Sequence, residues 1–257
     1  MSPTDDDAYF GPPDLFTPKY DEVHISVVFT WDIEKAHKLA ELWKSYGKVK
    51  IGGPAINGEP QDEFIPGMYL RQGVVITSRG CPNRCPWCFV KSPLKEININ
   101  EGNIIQDNNL LACSREHINK VFQMLSHQKR VEFSGGLEAG RIIPFIDDLR
   151  GISLYQLFLA YDCEARKKDI QKAIEKLRRY FMRNQIRCYI LIGFGNDSIN
   201  KAEERLRFIY ELGALPFAML YRKESGEYPK PEKEWRKFQR LWARPTIMKT
   251  LVKRGFQ

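Results

Sequence analysis

Val74-Val75-Ile76-Thr77-Ser78-Arg79-Gly80-Cys81-Pro82-Asn83-Arg84-Cys85-Pro86-Trp87-Cys88 is the segment from which the rest of the chain is read. Val74–Thr77 is β-branched throughout and reads as a short buried strand. It runs directly into a loop that places Cys81, Cys85 and Cys88 within eight residues, spaced C-x3-C-x2-C. Pro82 and Pro86 fix φ and remove two backbone donors, which stiffens that loop. Three thiolates so close can grip three irons of a cubane cluster, whereas a structural cluster takes four cysteines. Three leave one iron open to a ligand, much as a catalytic zinc site keeps an open position. A zinc site with a distant fourth ligand is the competing reading. It lacks the second C-x2-C or H-x3-H unit such sites use. His24, His37, His117 and His127 are scattered and read as surface or packed residues.

Downstream of the loop, strand-like and helix-like segments alternate. Strands are expected at Asn103–Gln106, Val131–Phe133, Tyr155–Tyr161, Cys188–Ile192 and Pro216–Tyr221. Helices are expected from Ser114, near Ile142–Leu149, over Arg166–Met182 and over Lys201–Leu212. Ile118, Val121, Phe122 and Leu125 form the apolar stripe of the first, and Ile170, Ile174, Leu177 and Phe181 that of the third. Residues 89–102 show no helix. With Val74–Thr77, six strands alternating with helices imply a curved parallel α/β sheet. Such folds place chemistry at the carboxyl ends of their strands. Those ends read Arg79-Gly80-Cys81, Asp107-Asn108-Asn109, Ser134-Gly135-Gly136, Asp162-Cys163, Gly193-Phe194-Gly195 and Tyr221-Arg222.

Residues 1–70 precede this core. They read as a Pro-containing arm over 1–20, then a small β-α-β unit. Its parts are Val23–Thr30, a helix over Ile33–Tyr46 whose Leu39, Leu42 and Trp43 would cover the strands, and Val49–Ile51 before Gly52-Gly53-Pro54. Residues 55–70 read as a connector. Residues 223–257 follow as a basic helical segment. Trp235, Phe238, Leu241 and Trp242 share one helical face there, spaced as core residues that could close an open sheet edge.

Hydrophobic residues make up 43% and charged residues 28% of the 257, which excludes wholesale disorder. No apolar run suits a membrane span, and Met1–Phe10 lacks a signal core, so a cytoplasmic protein is expected. In that reducing setting the six cysteines favour metal ligation over disulfides. Isolated Cys113, Cys163 and Cys188 read as free thiols. The net charge of +8 is unevenly spread: residues 1–70 hold 6 Lys/Arg against 12 Asp/Glu, and residues 222–257 hold 11 against 4. The basic end suggests an anionic partner, whether an anionic substrate, nucleic acid or an acidic protein, and otherwise reads as a solvated helical surface.

The triad, the aromatic residue before its last cysteine, the run Ser78-Arg79-Gly80-Cys81-Pro82 and the position after a first strand together resemble the radical SAM superfamily. The resemblance covers about residues 71–222. It implies a partial (βα)6 barrel in which Cys81, Cys85 and Cys88 ligate a 4Fe–4S cluster. S-adenosylmethionine (SAM) binds the open iron through its amino and carboxylate groups. One-electron reduction then yields a 5′-deoxyadenosyl radical that abstracts hydrogen from a substrate, here unidentified. Trp87 matches the aromatic position whose backbone lies near the adenine.

Two segments compete for the methionine amino group, which the family holds with a Gly-Gly-Glu element. Ser134-Gly135-Gly136-Leu137-Glu138 looks like that element with one inserted residue, although by itself it reads as a tight turn. Asp107-Asn108-Asn109 sits where the strand count places it and resembles the strand end of the cobalamin-type branch. The strand count favours Asp107–Asn109. Ile190–Gly195 resembles the fifth-strand signature, with Ile192 and Gly193 beside the adenine, but Asn196-Asp197-Ser198 departs from the family's continuation. Asp162 sits where a polar group meets the ribose, or else caps the following helix.

The N-terminal β-α-β unit resembles the tail of a cobalamin-binding domain. The Asp-x-His-x-x-Gly motif is missing, so no cobalamin is expected. A low-potential electron donor of flavodoxin or ferredoxin type is implied as partner. The function of a different class left open is a nucleic-acid-binding protein with a structural metal site, since basic residues interleave with aromatics near the end of the chain.

Overall fold

The computed structural model describes residues 3–57, 69–244, 248 and 250. Most of the connector and the tip of the basic segment, with Lys249, Lys253 and Arg254, lie outside those residues.

The chain opens with β1 (Glu22–Ser26), α1 (Ile33–Trp43) and β2 (Lys48–Gly52), followed by the single turn α2 (Pro54–Asn57). β1 and β2 pair in parallel, Val23 opposite Val49 and Ile25 opposite Ile51, so the β-α-β unit forms as expected. Its covering face differs by a helical step. Ala36, Ala40 and Trp43 are buried, whereas Leu42 is 55% exposed. The seam follows the i, i+4, i+7 line through Ala36, which turns Leu42 to solvent.

The first core strand is shorter than the apolar run. β3 spans only Val74–Val75. The chain then turns into β4 (Ser78–Arg79), which pairs antiparallel with β5 (Lys95–Glu96) in a separate ribbon. This ribbon occupies the stretch without helical periodicity. After it come β6 (Ile104–Ile105), α3 (Arg115–Ser126), β7 (Val131–Leu137), α4 (Ile146–Arg150), β8 (Leu154–Tyr161), α5 (Lys167–Leu177), β9 (Ile186–Ile192), α6 (Ile199–Glu211) and β10 (Leu215–Leu220). The main sheet has the order β10-β9-β8-β7-β6-β3, and each of its five strand pairs is parallel. The chain is therefore α/β with a six-stranded parallel sheet in sequential order.

Crossovers of one hand place the connecting helices on one face of a sequentially ordered sheet. Burial agrees along β9. Ile186, Cys188, Ile190 and Ile192 are fully buried with Ile170, Ile174, Leu206 and Ile209 of the helices. The alternate residues turn to the opposite face, where Arg187 lies between the Phe158 and Phe217 rings at 5.1 and 5.2 Å. Tyr189 stacks on Phe158 at 4.5 Å there.

Two expected boundaries move. α5 stops at Leu177, although Phe181 still packs in the core, because the Arg178 guanidinium bonds the Phe181 carbonyl at 2.6 Å and closes a turn. Ser134-Gly135-Gly136 is not a turn beyond a strand. β7 runs through it to Leu137, with a register shift against β8 between Phe133 and Leu137.

After β10, α7 (Glu232–Ala243) buries Trp235, Phe238 and Trp242. Gln239 Nε2 donates to the Ala218 carbonyl at 3.4 Å, so α7 lies along the free edge of β10. Covering an edge in this way blocks further strand pairing. No helix among the described residues is long and apolar enough to cross a membrane.

Candidate functional site at the cysteine loop

The cysteine loop is fixed from beneath by one buried carboxylate. Asp107, at the end of β6, is 1% exposed. It accepts from Thr77 N at 2.7 Å, Thr77 Oγ1 at 2.6 Å and Ser78 Oγ at 2.7 Å. Burial pushes its carboxyl up, against those hydrogen bonds. His117 Nε2 meets Thr77 Oγ1 at 3.3 Å, and its Nδ1 lies 3.8 Å from Glu96. Asp107 therefore differs from the expectation of a carboxylate offered to a ligand. Its oxygens hold the strand-to-loop corner.

Its neighbours do reach the loop. Asn108 Oδ1 accepts from Gly80 N at 3.0 Å. Asn109 Nδ2 donates to Cys81 Sγ at 3.4 Å and to Glu138 Oε2 at 2.9 Å. The carboxylate partner fixes which amide atom is nitrogen. That leaves Asn109 Oδ1 buried without a hydrogen-bond partner among the described residues.

Glu138 gathers the loop and the strand ends. It accepts from Asn83 Nδ2 at 3.2 Å and Arg141 Nε at 3.0 Å, with Arg166 3.8 Å away. Burial opposes its ionisation, but the bonds from Asn109 and Asn83 and the Arg141 charge outweigh it and hold the carboxyl below its usual range. Gly135 brings the two competing segments together. A Cβ there would strike the Asp107 carbonyl and lie 2.8 Å from Asp107 N, so only glycine permits the approach. Ser134 Oγ points back to Gln106 Oε1 at 2.9 Å and serves the sheet.

The three thiols are partly buried and free. Burial, then the charges of Cys88, Asp162 and Cys81, push the Cys85 thiol up. Among the described residues no three His, Cys, Asp or Glu side chains converge as a preformed metal-holding group. Cys113 and Cys188 are buried, which pushes the Cys113 thiol up to about 11 and also raises that of Cys188.

Trp87 lies on the other side of the loop. Burial pushes the Asp162 carboxyl up to about 6, opposed by the nearby Trp87 indole and the Leu191 backbone. Asp162 does not cap a helix: Cys163 and Arg166 hold the cap positions of the turns that follow. Trp87 meets Phe194 edge-on at 5.7 Å, and Phe194 meets Tyr221 at 4.9 Å. The Gly193 N–H is taken by Asp197 Oδ2 at 2.8 Å, and Asp197 is paired with Arg205 at 2.7 Å. Ile192 is fully buried, with its carbonyl bonded to Tyr221 N at 2.9 Å. A cavity of about 190 Å³ opens between Asp162, Leu191, Phe194 and Arg205.

The structure thus brings Cys81, Cys85, Cys88, Trp87, Asn109, Glu138 and Asp162 to one end of the sheet. Reading the sequence did not assign Asn83 or Arg141. Asn83 lies inside the cysteine loop and Arg141 three residues after Glu138, and those positions were the available signals. No protein-family model matches this chain, and neither does any curated protein compared with it.

Proposed function

We propose that the chain is a radical SAM enzyme whose core, residues 71–222, is a partial barrel built from the sequential parallel sheet. The observation that carries this reading is the contact of Cys81 Sγ, the first thiol of the C-x3-C-x2-C loop, with Asn109, which also bonds Glu138, at the carboxyl ends of the strands. In a cubane each thiolate bonds a different iron, so the thiols need proximity and not convergence on one point. Cys81, Cys85 and Cys88 would hold a 4Fe–4S cluster, which would supply the electron for reductive cleavage of SAM.

The chain's own residues account for the remaining requirements. Asn109 Oδ1 is a buried acceptor without a donor, and Glu138 beside it is held ionised. A carboxylate and an orphan amide oxygen suit an ammonium group, which supplies three donors. The geometry therefore favours Asn109 and Glu138 for the methionine amino group, with Asp107 bracing the loop beneath them. Trp87, Phe194 and Asp162 border the neighbouring space, where an apolar wall and one polar group suit a nucleoside. α7 covers an edge of the sheet, and the N-terminal unit extends the fold without cobalamin. An acidic low-potential electron donor is drawn to the basic end of the chain, residues 222–257.

Anaerobic reconstitution with iron and sulfide tests the proposal. The expected product is a brown protein with about four irons per chain, as three cluster-ligating cysteines require. Colourless protein retaining one zinc would instead support a structural metal site in a nucleic-acid-binding protein.

A further inference from the structure

A second aromatic cluster lies beside the cysteine loop and takes no part in the site above. Phe29 and Trp31, in the turn entering α1, stack with ring centroids 4.6 Å apart at 10°. Phe89, the residue after Cys88, meets Trp31 edge-on at 6.2 Å. The Arg222 guanidinium, two residues beyond β10, lies 4.2 Å over the Trp31 ring and 4.9 Å from the centre of Tyr228. Phe29 is 47% and Phe89 49% exposed. Exposed large apolar faces gathered in one place mark interaction surfaces more often than isolated ones do.

The cluster is held in place by specific contacts. Thr30 Oγ1 donates to the Glu224 carbonyl at 2.8 Å, fastening the N-terminal unit to the turn after β10. That turn is closed by Lys223 N to Glu227 O and Gly226 N to Lys223 O, both 2.8 Å. Gly226 has φ +89°, and a Cβ there would come within 2.9 Å of Trp31 Cβ. Only glycine lets the turn lie against the indole. Arg222 Nε donates to the Gly226 carbonyl at 2.6 Å. Its two terminal nitrogens have no hydrogen-bond partner among the described residues, so they remain available to an anion.

We propose that Phe29, Trp31, Phe89 and Arg222 bind single-stranded nucleic acid, with a base stacked on the exposed rings and its phosphate at Arg222. Aromatic platforms beside cationic groups are the recurring means of holding unpaired bases. A guanidinium with free paired donors matches phosphate geometry. The surplus of 11 basic over 4 acidic residues in 222–257 favours a polyanion over an apolar peptide. Phe89 directly follows the last cysteine, so a strand lying on this surface passes the mouth of the proposed active site. That it is also the substrate rests on the radical SAM reading. The binding itself does not.

A fluorescein-labelled single-stranded RNA of about ten nucleotides, with a DNA of the same sequence as second probe, is titrated with the full chain at several salt concentrations. Binding is expected to weaken about tenfold in Trp31→Ala and in Phe89→Ala, and to survive in Trp31→Phe. Arg222→Ala should weaken binding and lower the salt slope by about one. Thermal unfolding checks each variant. If Trp31→Ala proves unfolded, the half-exposed Phe89→Ala and Arg222→Ala decide. All titrations are run without added iron, sulfide or SAM, so failure of the cluster assignment would leave this result standing. The proposal is overturned if the wild type binds neither probe, or if Phe89→Ala and Arg222→Ala bind unchanged. Equal competition by polyglutamate, or uridine monophosphate binding as tightly as the RNA, would also overturn it.

Discussion

Glu138→Gln and Asp107→Asn separate the two carboxylates that the sequence placed in competition. Glu138 accepts hydrogen bonds from Asn109, Asn83 and Arg141 and lies beside an orphan amide oxygen. Glutamine keeps the shape and one acceptor but removes the charge that an ammonium group would meet. Losing one charge-assisted hydrogen bond costs about 1.5–3 kcal/mol, or roughly 10- to 150-fold in SAM affinity. Stability should change little, because Arg141 is 48% exposed and water screens its loss of a partner. Asp107→Asn should show the reverse pattern. One oxygen still accepts from Thr77 N, while the amide must donate to hydroxyls that can reorient, so SAM affinity should stay within a few-fold of wild type. Asp107→Ala would orphan three donors at roughly 1–3 kcal/mol each, partly offset by removing a buried charge. Equilibrium dialysis of radiolabelled SAM against anaerobically reconstituted protein measures the first effect, and urea midpoints measure the second. Unchanged affinity in Glu138→Gln with a tenfold loss in a stable Asp107→Asn would refute the assignment.

Cys81→Ala, Cys85→Ala and Cys88→Ala should each lose cluster absorption and SAM cleavage after reconstitution, whereas Cys113→Ala should keep its iron count. Asp162 supplies a pH signature: its carboxyl rises from 3.8 to about 6, so the fold favours the protonated form. That contribution is fully present below about pH 4 and is lost as pH rises through about 6, about 3 kcal/mol in all. Urea midpoints of wild type should fall across that window, and those of Asp162→Asn should be flatter. Trp242→Ala, in α7, should cost about 3–5 kcal/mol by denaturant unfolding, because the indole is 2% exposed within the core. A near-neutral result would show α7 to be a detachable cover.

Much of the fold was legible because period and burial coincide. The stripes Ile118-Val121-Phe122-Leu125 and Ile170-Ile174-Leu177-Phe181 are both buried. The parallel sheet followed from the alternation of strands and helices, whereas its sequential strand order is seen only in the fold. What periodicity could not reveal was the direction of side chains at strand ends. An acidic residue closing an apolar run looks the same whether it faces a ligand or the layer beneath. For Asp107 the choice was made by Thr77 and Ser78, some thirty residues earlier and adjacent only after folding. The same limit hid the joining of Asn109 to Glu138, because Gly135 reads as a turn until the Asp107 backbone is seen against it. The aromatic cluster was illegible for a related reason. Trp31, Phe89 and Arg222 are far apart in sequence, and no local pattern links them.

The central claim is that this chain splits SAM to generate a hydrogen-abstracting radical, and product analysis under strict anaerobiosis tests it most directly. Reconstituted protein, dithionite and SAM are incubated together, and the nucleosides are separated chromatographically. The account predicts 5′-deoxyadenosine and methionine in equal amounts, formed by wild type and absent with Cys85→Ala. No 5′-deoxyadenosine from a protein that carries its full complement of iron, or S-adenosylhomocysteine as the sole product, would contradict it.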